Sequence, residues 1–264
     1  MIYGKLPVAF LGAIASEKKG ATNSAIASFI LENLKTVRGM NITELADVCH
    51  VSASTISRFC KETGFDSYAE LREVLETSQM AFEQGVPAAT ARERAEKTAG
   101  NIAHAIAAVQ QTLDYGKLRK LCMEISKYGH VAAFGLLKAE AAAVNLQCDF
   151  LMLGKQIYTN VSYTQQMEYL LSANDDDLIL IFSYTGAYFD YQDLRAFQER
   201  LRKPRIWMIA GEEKVWPPFV DETLLFSSCH GQAGHPYQLQ TMASLIAGEY
   251  ALMQNSMFDT NADS

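Results

Sequence analysis

The chain has 264 residues, of which 49% are hydrophobic and 20% charged, and it carries a net charge of −7. This composition is typical of a chain that buries a core, and the length fits one large domain or a small domain followed by a medium one. The acidic balance excludes a protein whose whole surface binds nucleic acid, but it is compatible with a local DNA-reading face.

The first predicted elements are helical. Lys5 precedes the apolar stretch Leu6–Ala15, which fits either a signal peptide or an apolar first helix that packs on the next one, and we favour the helix. Ala21–Leu34 follows as an amphipathic helix, because its apolar residues recur at helical spacing. Three more helices are predicted: one opened by Asn41–Glu44 with Thr43 as N-cap, one from Ser52 to a left-handed Gly64, and one from Tyr68 to about Thr77, capped by Asp66 or Ser67.

The rest of the chain predicts a linker and an α/β domain. Residues 78–100 are rich in small and charged residues, so we interpret them as a partly helical linker between residues 1–77 and a domain at 101–264. Helices are expected at Ile102–Leu113, Leu118–Lys127 (started by Asp114), Ala139–Leu153, Tyr191–Leu201 and Pro236–Met253. Strands are expected at Val131–Phe134, Leu178–Phe182 and Ile206–Ala210, with weaker ones at Gln156–Tyr158 and Glu222–Phe226. This alternation predicts a parallel sheet covered on both faces.

The cysteines and the apolar runs narrow the class of protein further. Five cysteines are scattered along the chain without a C-x-x-C pair. We therefore expect neither a disulfide framework nor a metal site, and we expect a reducing cytoplasm. No apolar run approaches the roughly 20 residues that a membrane span needs, so no membrane partner is expected. We also expect no cofactor.

Residues Ile42–Lys61 have the spacing of a helix-turn-helix. The small Ala46 lies where two helices would cross closely, His50 falls at the turn, and Val51 fills the junction. Glycine is usual at a left-handed turn position, and His is among the few other residues tolerated there. The segment therefore predicts two short helices with a tight turn between them.

The second helix of this motif would present polar groups outward. Ile56 and Phe59 face inward at a spacing of three, which leaves hydroxyls and cations on the other side. A recognition helix needs such donors along one face to reach base edges and phosphates in the major groove. The candidate DNA-binding residues are Ser52, Ser54, Thr55, Ser57, Arg58 and Lys61. A three-helix packing module that binds no DNA is the alternative.

Several of these residues together resemble the RpiR family of bacterial transcription regulators. The shared residues lie within residues 20–76 and are Leu45-Ala46, Val51-Ser52, Thr55, Arg58-Phe59 and Gly64-Phe65, followed by Tyr68 and Leu71. The resemblance implies DNA binding through an all-α N-terminal domain. It also implies that the second half is a sugar isomerase (SIS) domain, an α/β fold with a five-stranded parallel sheet flanked by helices, which binds phosphosugars.

The turn after the second strong strand has the chemistry of an anion site. Ser183–Gly186 follows the strand and precedes a predicted helix, so its hydroxyls and backbone N–H groups could hold a phosphate with help from the helix dipole. It resembles the S-x-S-G-x-T phosphate loop of the family, with Thr185 in place of the second Ser, Gly186 retained, and Tyr188 in place of the later Thr. An ordinary turn with capping hydroxyls is the alternative.

The loop after the first strand departs from the family pattern. The family has G-x-G-x-S there, whereas this chain has Gly135, then Leu137 in place of the second Gly and Ala139 in place of the Ser. Lys138 could supply a cation for a phosphate or carboxylate, or it could be plain surface. We therefore expect the ligand to be altered, weakly bound or absent.

The resulting hypothesis is a homodimeric or homotetrameric regulator of carbohydrate genes. It would bind a palindromic double-stranded DNA operator and sense a phosphorylated sugar or amino sugar. One rival is a regulator whose α/β domain only dimerises or docks another protein. The other is a phosphosugar isomerase, for which Glu140, Asp190 and His235 are the nearby candidate bases. His230 and His235 flank a Gly-rich stretch and are expected to be surface or capping residues, and Asp175–Asp177 is expected to be a solvated turn.

Overall fold

The computed structural model describes residues 4–78, 90–229 and 234–262, with side chains up to residue 255. The chain divides into two compact units, one formed by Met1–Ala81 with Asn160–Glu168 and the other by Phe82–Thr159 with Tyr169–Ser264. In the described part of the chain, no helix is both long enough and apolar enough to cross a membrane.

The first unit is built of short helices. They are α1 (Lys5–Ser16), α2 (Thr22–Glu32), α3 (Leu34–Val37), α4 (Ile42–Val48), α5 (Ala53–Glu62) and α6 (Tyr68–Thr77). The apolar stretch after Lys5 forms α1, as favoured from the sequence. Phe10 on this helix is fully buried, and its ring centre lies 5.2 Å from that of Phe59 and 5.9 Å from that of Phe65. Helix α1 therefore contributes to the same core as α5.

Local hydrogen bonds fix the beginnings of these helices. Asn41, rather than the predicted Thr43, caps α4: its side chain accepts from the N–H groups of Thr43 and Glu44, and the Glu44 carboxylate accepts from the Asn41 N–H. Asn41 is the cap because it is the last extended residue before the helix and has an acidic residue three positions later. Ser52 and Ser67 cap α5 and α6, as predicted.

The second unit contains a parallel sheet. Its strands, β1 (His130–Gly135), β2 (Asp177–Phe182), β3 (Arg205–Ala210) and β4 (Glu222–Leu225), pair in that order and all run parallel. The helices after residue 90 are α7 (Ala91–Thr112), α8 (Tyr115–Lys127), α9 (Glu140–Met152), α10 (Tyr163–Ser172), α11 (Gln198–Leu201) and α12 (His235–Ala262). Strand β2 is buried along its whole length, which is expected of a central parallel strand covered on both faces.

The sheet has four strands among the described residues rather than the five predicted. Two backbone hydrogen bonds join Tyr158 to β1, but they produce a single bridge between Tyr158 and Ala132 instead of a strand. Pairing ends after this one residue, and Thr159 then directs its hydroxyl to Glu140. The predicted strand at Gln156–Tyr158 is therefore wrong, whereas Glu222–Phe226 does form a strand, β4.

Two helix predictions also need correction. Helix α7 begins at Ala91, inside the predicted linker 78–100, because Thr90 caps it; residues 79–89 lie outside the described part of the chain. The predicted helix Tyr191–Leu201 is replaced by two 3-10 turns, Ala187–Tyr191 and Arg195–Phe197, and the short α11. Asp193 explains the break, since its carboxylate accepts from the N–H and the guanidinium of Arg195 and so competes with helix formation.

The predicted solvated turn before β2 is only partly solvated. Asp175 and Asp176 are exposed, but Asp177 is buried and begins β2. Its carboxylate accepts hydrogen bonds from the Asn174 N–H (2.9 Å) and the Tyr169 hydroxyl (3.1 Å). Asp177 thus has a structural role at the start of the strand.

Candidate functional sites

The candidate DNA-reading face is built by α4, α5 and the turn between them. His50 lies in this turn with a φ of 56°, the left-handed conformation predicted for it. The His50 N–H donates to the Asp47 carbonyl (3.1 Å), and the Val51 N–H donates to the Ala46 carbonyl (2.9 Å). This pair of bonds is the Schellman pattern that ends a helix. It fixes the direction in which the chain enters α5.

Helix α5 separates an apolar face from a polar face. Its buried residues are Ile56, Phe59 and Cys60, which have the spacing of one side of a helix. The exposed residues are Ser54, Ser57, Arg58 and Lys61, which have the same kind of spacing on the other side. The structure thus places four of the six candidate DNA-binding residues together on one exposed face.

The other two candidates, Ser52 and Thr55, take part in capping α5. The Ser52 hydroxyl accepts from the Thr55 N–H (3.1 Å) and lies 2.8 Å from the Thr55 hydroxyl and 2.7 Å from the Ser54 hydroxyl. A hydroxyl can donate and accept at the same time, so this group can still donate to a ligand. An oxygen of the DNA backbone is a suitable ligand at such a helix start.

Two cations lie on the polar face of α5, Arg58 and Lys61. The Arg58 Nε lies 3.7 Å from Glu62 Oε1, with 63% and 49% of the two side chains exposed. An exposed ion pair of this kind contributes little stability. Glu62 also accepts a hydrogen bond from Asn23 Nδ2 (2.7 Å). A phosphate or a base edge can therefore replace Glu62 as the partner of Arg58 at small energetic cost.

The second candidate site lies at the carboxyl ends of β1 and β2. The strand register pairs Gly135 with Phe182, so the loops that follow the two strands begin next to each other. Ligands of open parallel sheets bind at this edge. All the candidate ligand-binding residues lie in these two loops: Gly135 and Lys138 in the first, Ser183, Thr185 and Gly186 in the second.

The turn after β2 is closed by its own backbone. Ser183 is buried, its N–H donates to the Ile209 carbonyl (3.0 Å), and its carbonyl accepts from the Gly186 N–H (2.9 Å). The Gly186 amide is therefore used within the turn, and the hydroxyls of Ser183 and Thr185 are the polar groups that the turn can offer. The helix expected next is a 3-10 turn of five residues, Ala187–Tyr191, whose dipole is small.

The connection between β3 and β4 covers this turn. Gly186 has a φ of 68°, and a Cβ on it would lie 2.7 Å from the Trp216 ring and 3.1 Å from the Lys214 side chain. The Lys214 ammonium lies 3.2 Å from the Asp190 carboxylate and 5.9 Å from the centre of the Trp216 ring. Lys214 thus brings a positive charge to the turn. Sequence analysis missed Lys214 because it belongs to a different strand connection.

The loop after β1 folds tightly on the first turn of α9. A Cβ at Gly135 would lie 2.6 Å from the Ala139 carbonyl carbon and 2.8 Å from the Glu140 nitrogen, so glycine is required. Leu137, at the position of the second glycine in the family pattern, has a φ of 56°. That conformation costs an L-residue about 1–2 kcal/mol. Lys138 is half-buried.

A buried carboxylate lies beside this loop. Glu140 is 5% exposed; its Oε2 accepts from the Gly135 N–H (3.1 Å), and its Oε1 accepts from the Thr159 hydroxyl (2.7 Å). Asp190, another candidate base, is exposed and paired with Lys214. In the described ranges, no group of three or more His, Cys, Asp or Glu side chains could hold a metal ion.

A second polar cluster connects the turn after β2 to two helices. The Tyr184 hydroxyl donates to Gln238 Oε1 (3.0 Å) and accepts from the Ser228 hydroxyl (2.9 Å). Gln238 is fully buried on α12, and its Nε2 donates to the Ala105 carbonyl of α7 (2.9 Å). His235, the first residue of α12, is also buried, with its ring centre 5.0 Å from that of Tyr184. Of the two roles expected for it, surface or capping residue, the surface role is wrong. His230 lies outside the described residues.

The fold and these sites define a class of protein: a helix-turn-helix domain in one chain with a parallel α/β domain. Residues 9–81 match the family described as "Helix-turn-helix domain, rpiR family". The N-terminal domain of this chain is therefore an RpiR-family helix-turn-helix domain, which confirms the resemblance found in the sequence.

Two curated relatives are named as regulators. The HTH-type transcriptional regulator HexR of Pseudomonas aeruginosa is 24% identical over 166 residues, which are 61% of this chain and 58% of HexR. The uncharacterized HTH-type transcriptional regulator YbbH of Bacillus subtilis is 22% identical over 166 residues, which are 61% of this chain and 59% of YbbH. The chain thus aligns with less than two thirds of the length of either relative.

Solved structures with a similar fold include two ligand complexes. The Vibrio vulnificus NanR protein complexed with ManNAc-6P is 14% identical, and the match covers 98% of this chain and 94% of NanR with a TM-score of 0.52. A ligand complex of an E. coli CFT073 protein is 13% identical, and the match covers 62% of this chain and 91% of that protein with a TM-score of 0.52. These likenesses confirm the fold class, a helical N-terminal region followed by a parallel α/β domain.

Proposed function

We propose that this chain is a DNA-binding transcriptional regulator of carbohydrate genes, and that its α/β domain senses a phosphorylated sugar or amino sugar. The observation that carries the proposal is the exposed face of α5, where two hydroxyls and two cations lie on the side opposite the buried residues. Hydroxyl and cationic donors along one helix face are what recognition in the major groove requires. The family of the N-terminal domain and the names of the relatives support it.

Gel-shift titration of the full chain on duplexes from upstream of its own gene tests DNA binding. If Arg58 contacts a base, Arg58→Ala costs about 1–3 kcal/mol and relaxes specificity at one operator position. If Lys61 contacts a phosphate, Lys61→Ala weakens binding to all sequences and flattens the salt dependence. Arg92→Ala is the control, since Arg92 is an exposed arginine on α7. If neither variant differs from this control, α5 is not the recognition helix.

Sensing is assigned to the turn after β2. Ser183 and Thr185 supply hydroxyls, and Lys214 supplies a positive charge next to Gly186. A phosphate is recognised by this combination of donors and charge. NanR, which shares the fold, was solved with a phosphorylated amino sugar, and this supports the assignment of ligand class.

Thermal unfolding with a panel of sugar phosphates tests the sensor. At a hundredfold excess over Kd, a ligand adds about 2.7 kcal/mol, which raises Tm by roughly 5–10 °C for a domain of this size. Ser183→Ala should remove much of the shift, and the sugar without its phosphate should give none. Lys138→Ala and Lys214→Ala decide which ammonium binds the phosphate.

A regulator whose α/β domain only dimerises or docks another protein is the second candidate. Two observations favour it: the Gly186 amide is used within its own turn, and Glu140 lies where the first loop would offer an N–H group to a ligand. If no sugar phosphate moves the melting curve, this candidate replaces the sensor. We propose no catalytic activity, because Glu140 accepts hydrogen bonds from Gly135 and Thr159, Asp190 is paired with Lys214, and His235 is buried against the Tyr184 ring.

We propose that the regulator is a homodimer and that its operator is palindromic. Most apolar residues of α12 are buried against α7, α8 and α9 of the same chain. Exposed apolar side chains lie instead on α9, where Val144, Leu151 and Met152 are 37%, 70% and 79% exposed at helical spacing. Such a stripe is a suitable subunit interface.

A further inference from the structure

Glu140 is a buried charge next to the candidate ligand site. Burying a carboxylate is unfavourable unless hydrogen bonds or opposite charges compensate for the lost water. Hydrogen bonds from the Gly135 N–H and from the Thr159 hydroxyl contribute to this compensation here. The residue also lies in the first turn of the 13-residue helix α9, whose dipole favours a negative charge.

The Glu140 carboxylate occupies the place where the first loop would otherwise bind an anionic group of a ligand. Besides the Lys138 side chain, the loop can offer an anion the Gly135 N–H, and this N–H donates to Glu140 Oε2. A Cβ at Gly135 would lie 2.7 Å from the Ala139 carbonyl oxygen, so this end of β1 packs closely on the first turn of α9. Glu140 therefore fills this end of the site with the chain's own negative charge.

The other end of the site offers hydroxyl donors and an ion pair. There the hydroxyls of Ser183 and Thr185 lie in the turn after β2, and the Lys214 side chain approaches Gly186. Because Gly135 and Phe182 are paired across β1 and β2, the two ends are neighbours along one edge of the sheet. A ligand that spans them meets hydroxyl donors and the Lys214–Asp190 ion pair at one end and the Glu140 carboxylate at the other.

We propose that Glu140 determines the class of ligand that the α/β domain accepts. The site takes a sugar with a single phosphate, bound at the Ser183 turn, and with hydroxyl or amino groups toward Glu140. It rejects sugars with a second anionic group, such as bisphosphates and phosphorylated sugar acids, because that group would lie against the Glu140 carboxylate. This inference rests on the proposed sensing function.

Removing the carboxylate should open the first loop to an external anion. The full chain with Glu140→Ala is melted in a titration of inorganic phosphate at constant ionic strength, with tryptophan fluorescence as the readout. We expect a lower Tm than wild type without phosphate and a recovery of several degrees with it. The response should persist in an added Ser183→Ala background, which removes binding at the other turn. Glu140→Ser is used if the alanine variant does not fold.

Two controls make the test specific. Glu140→Gln keeps the space filled and an acceptor for the Gly135 N–H, so it should not gain the response. Glu199→Ala removes an exposed charge on α11 and reports the general stabilisation of proteins by phosphate. If the response of Glu140→Ala or Glu140→Ser is no larger than that of Glu199→Ala, the proposal is overturned.

A matched pair of sugars separates this proposal from the sensing function. Glucose 6-phosphate and 6-phosphogluconate differ by a carboxylate at the end remote from the phosphate. We compare the ratio of the affinity for 6-phosphogluconate to the affinity for glucose 6-phosphate. This ratio should be at least about tenfold higher for Glu140→Gln than for wild type, because the substitution removes a negative charge that faces the carboxylate of the ligand. Unchanged discrimination in a protein that binds sugar phosphates overturns the role of Glu140 and leaves sensing intact. A phosphate response of Glu140→Ala without any sugar-phosphate binding by wild type shows that Glu140 fills an anion position, but it overturns sensing and, with it, the selection of ligand by Glu140.

Discussion

Replacing His50 by glycine should stabilise the helix-turn-helix unit. His50 follows the end of α4 with a φ of 56°, and its side chain is exposed, so the substitution removes strain without removing buried contacts. A left-handed conformation costs an L-residue about 1–2 kcal/mol, and His is among the residues that tolerate it best. The greater freedom of glycine in the unfolded chain offsets about 0.4–1 kcal/mol. The net gain should be about 0.5–1 kcal/mol, which raises the Tm of so small a unit by roughly 2–8 °C.

The assay can distinguish the two units because both tryptophans, Trp207 and Trp216, lie in the α/β unit. Far-UV circular dichroism follows the helices of both units, whereas tryptophan fluorescence follows only the α/β unit. His50→Gly should raise the transition seen by circular dichroism. If the units unfold independently, the fluorescence transition should stay in place, and if they unfold together, both should rise.

Gly64 supplies the matched control for this substitution. It has a φ of 85° at the same position after α5, where the Phe65 N–H donates to the Cys60 carbonyl (2.8 Å) in the same Schellman pattern. Gly64→Ala should therefore destabilise the unit by about 1 kcal/mol. A result in which Gly64→Ala lowers the transition but His50→Gly fails to raise it would refute the strain assigned to His50.

Two further predictions concern DNA affinity and assembly. Glu62→Gln releases Arg58 from its ion pair and removes a negative charge from the DNA-reading face. It should therefore tighten operator binding about two- to fivefold in gel shifts, as expected for an exposed ion pair. An unchanged or weaker affinity would count against this face as the DNA-binding surface. Leu151→Lys should convert the dimer to a monomer, as measured by light scattering, and should increase labelling of the exposed Cys148 by a thiol reagent. Cys122 should stay unlabelled, because burial raises the pKa of its thiol to about 12. A wild-type monomer at micromolar concentration would contradict the interface.

The sequence was informative where a local pattern determines the structure. The apolar runs that became β1, β2 and β3 are continuous because those strands are buried on both faces. The start of α5 at Ser52 and its end at Gly64 follow from capping chemistry within a few residues. The candidate DNA-reading residues could be predicted for the same reason, since they lie within one short helix whose buried side fixes its exposed side.

The sequence was less informative where distant segments meet. Trp216 and Gln238 contact the turn after β2 from other connections, and no local pattern marks them. The helix predicted at Tyr191–Leu201 failed because a single side chain, Asp193, satisfies backbone and guanidinium donors outside a helix. Helix α10 was not predicted, although its buried apolar residues Tyr163, Met167 and Leu170 have helical spacing.

The first loop departs from the family pattern at Leu137 and Ala139, and the hydrogen bond to Glu140 explains how the loop keeps its shape without the pattern's residues. The family pattern has a glycine at Leu137 and a hydroxyl at Ala139, and both were expected to matter for a ligand. The structure retains the left-handed backbone at Leu137, so the shape of the loop does not depend on glycine there. With Ala139 the loop has no hydroxyl at that position, and Glu140 supplies an internal acceptor for the Gly135 N–H. A ligand can shift a conformational equilibrium only through contacts that differ between the two states. Since the Gly135 N–H is already satisfied, we expect the response to ligand to come from the turn at Ser183, from the Trp216 connection that covers it, and from Lys138 if its ammonium binds the phosphate.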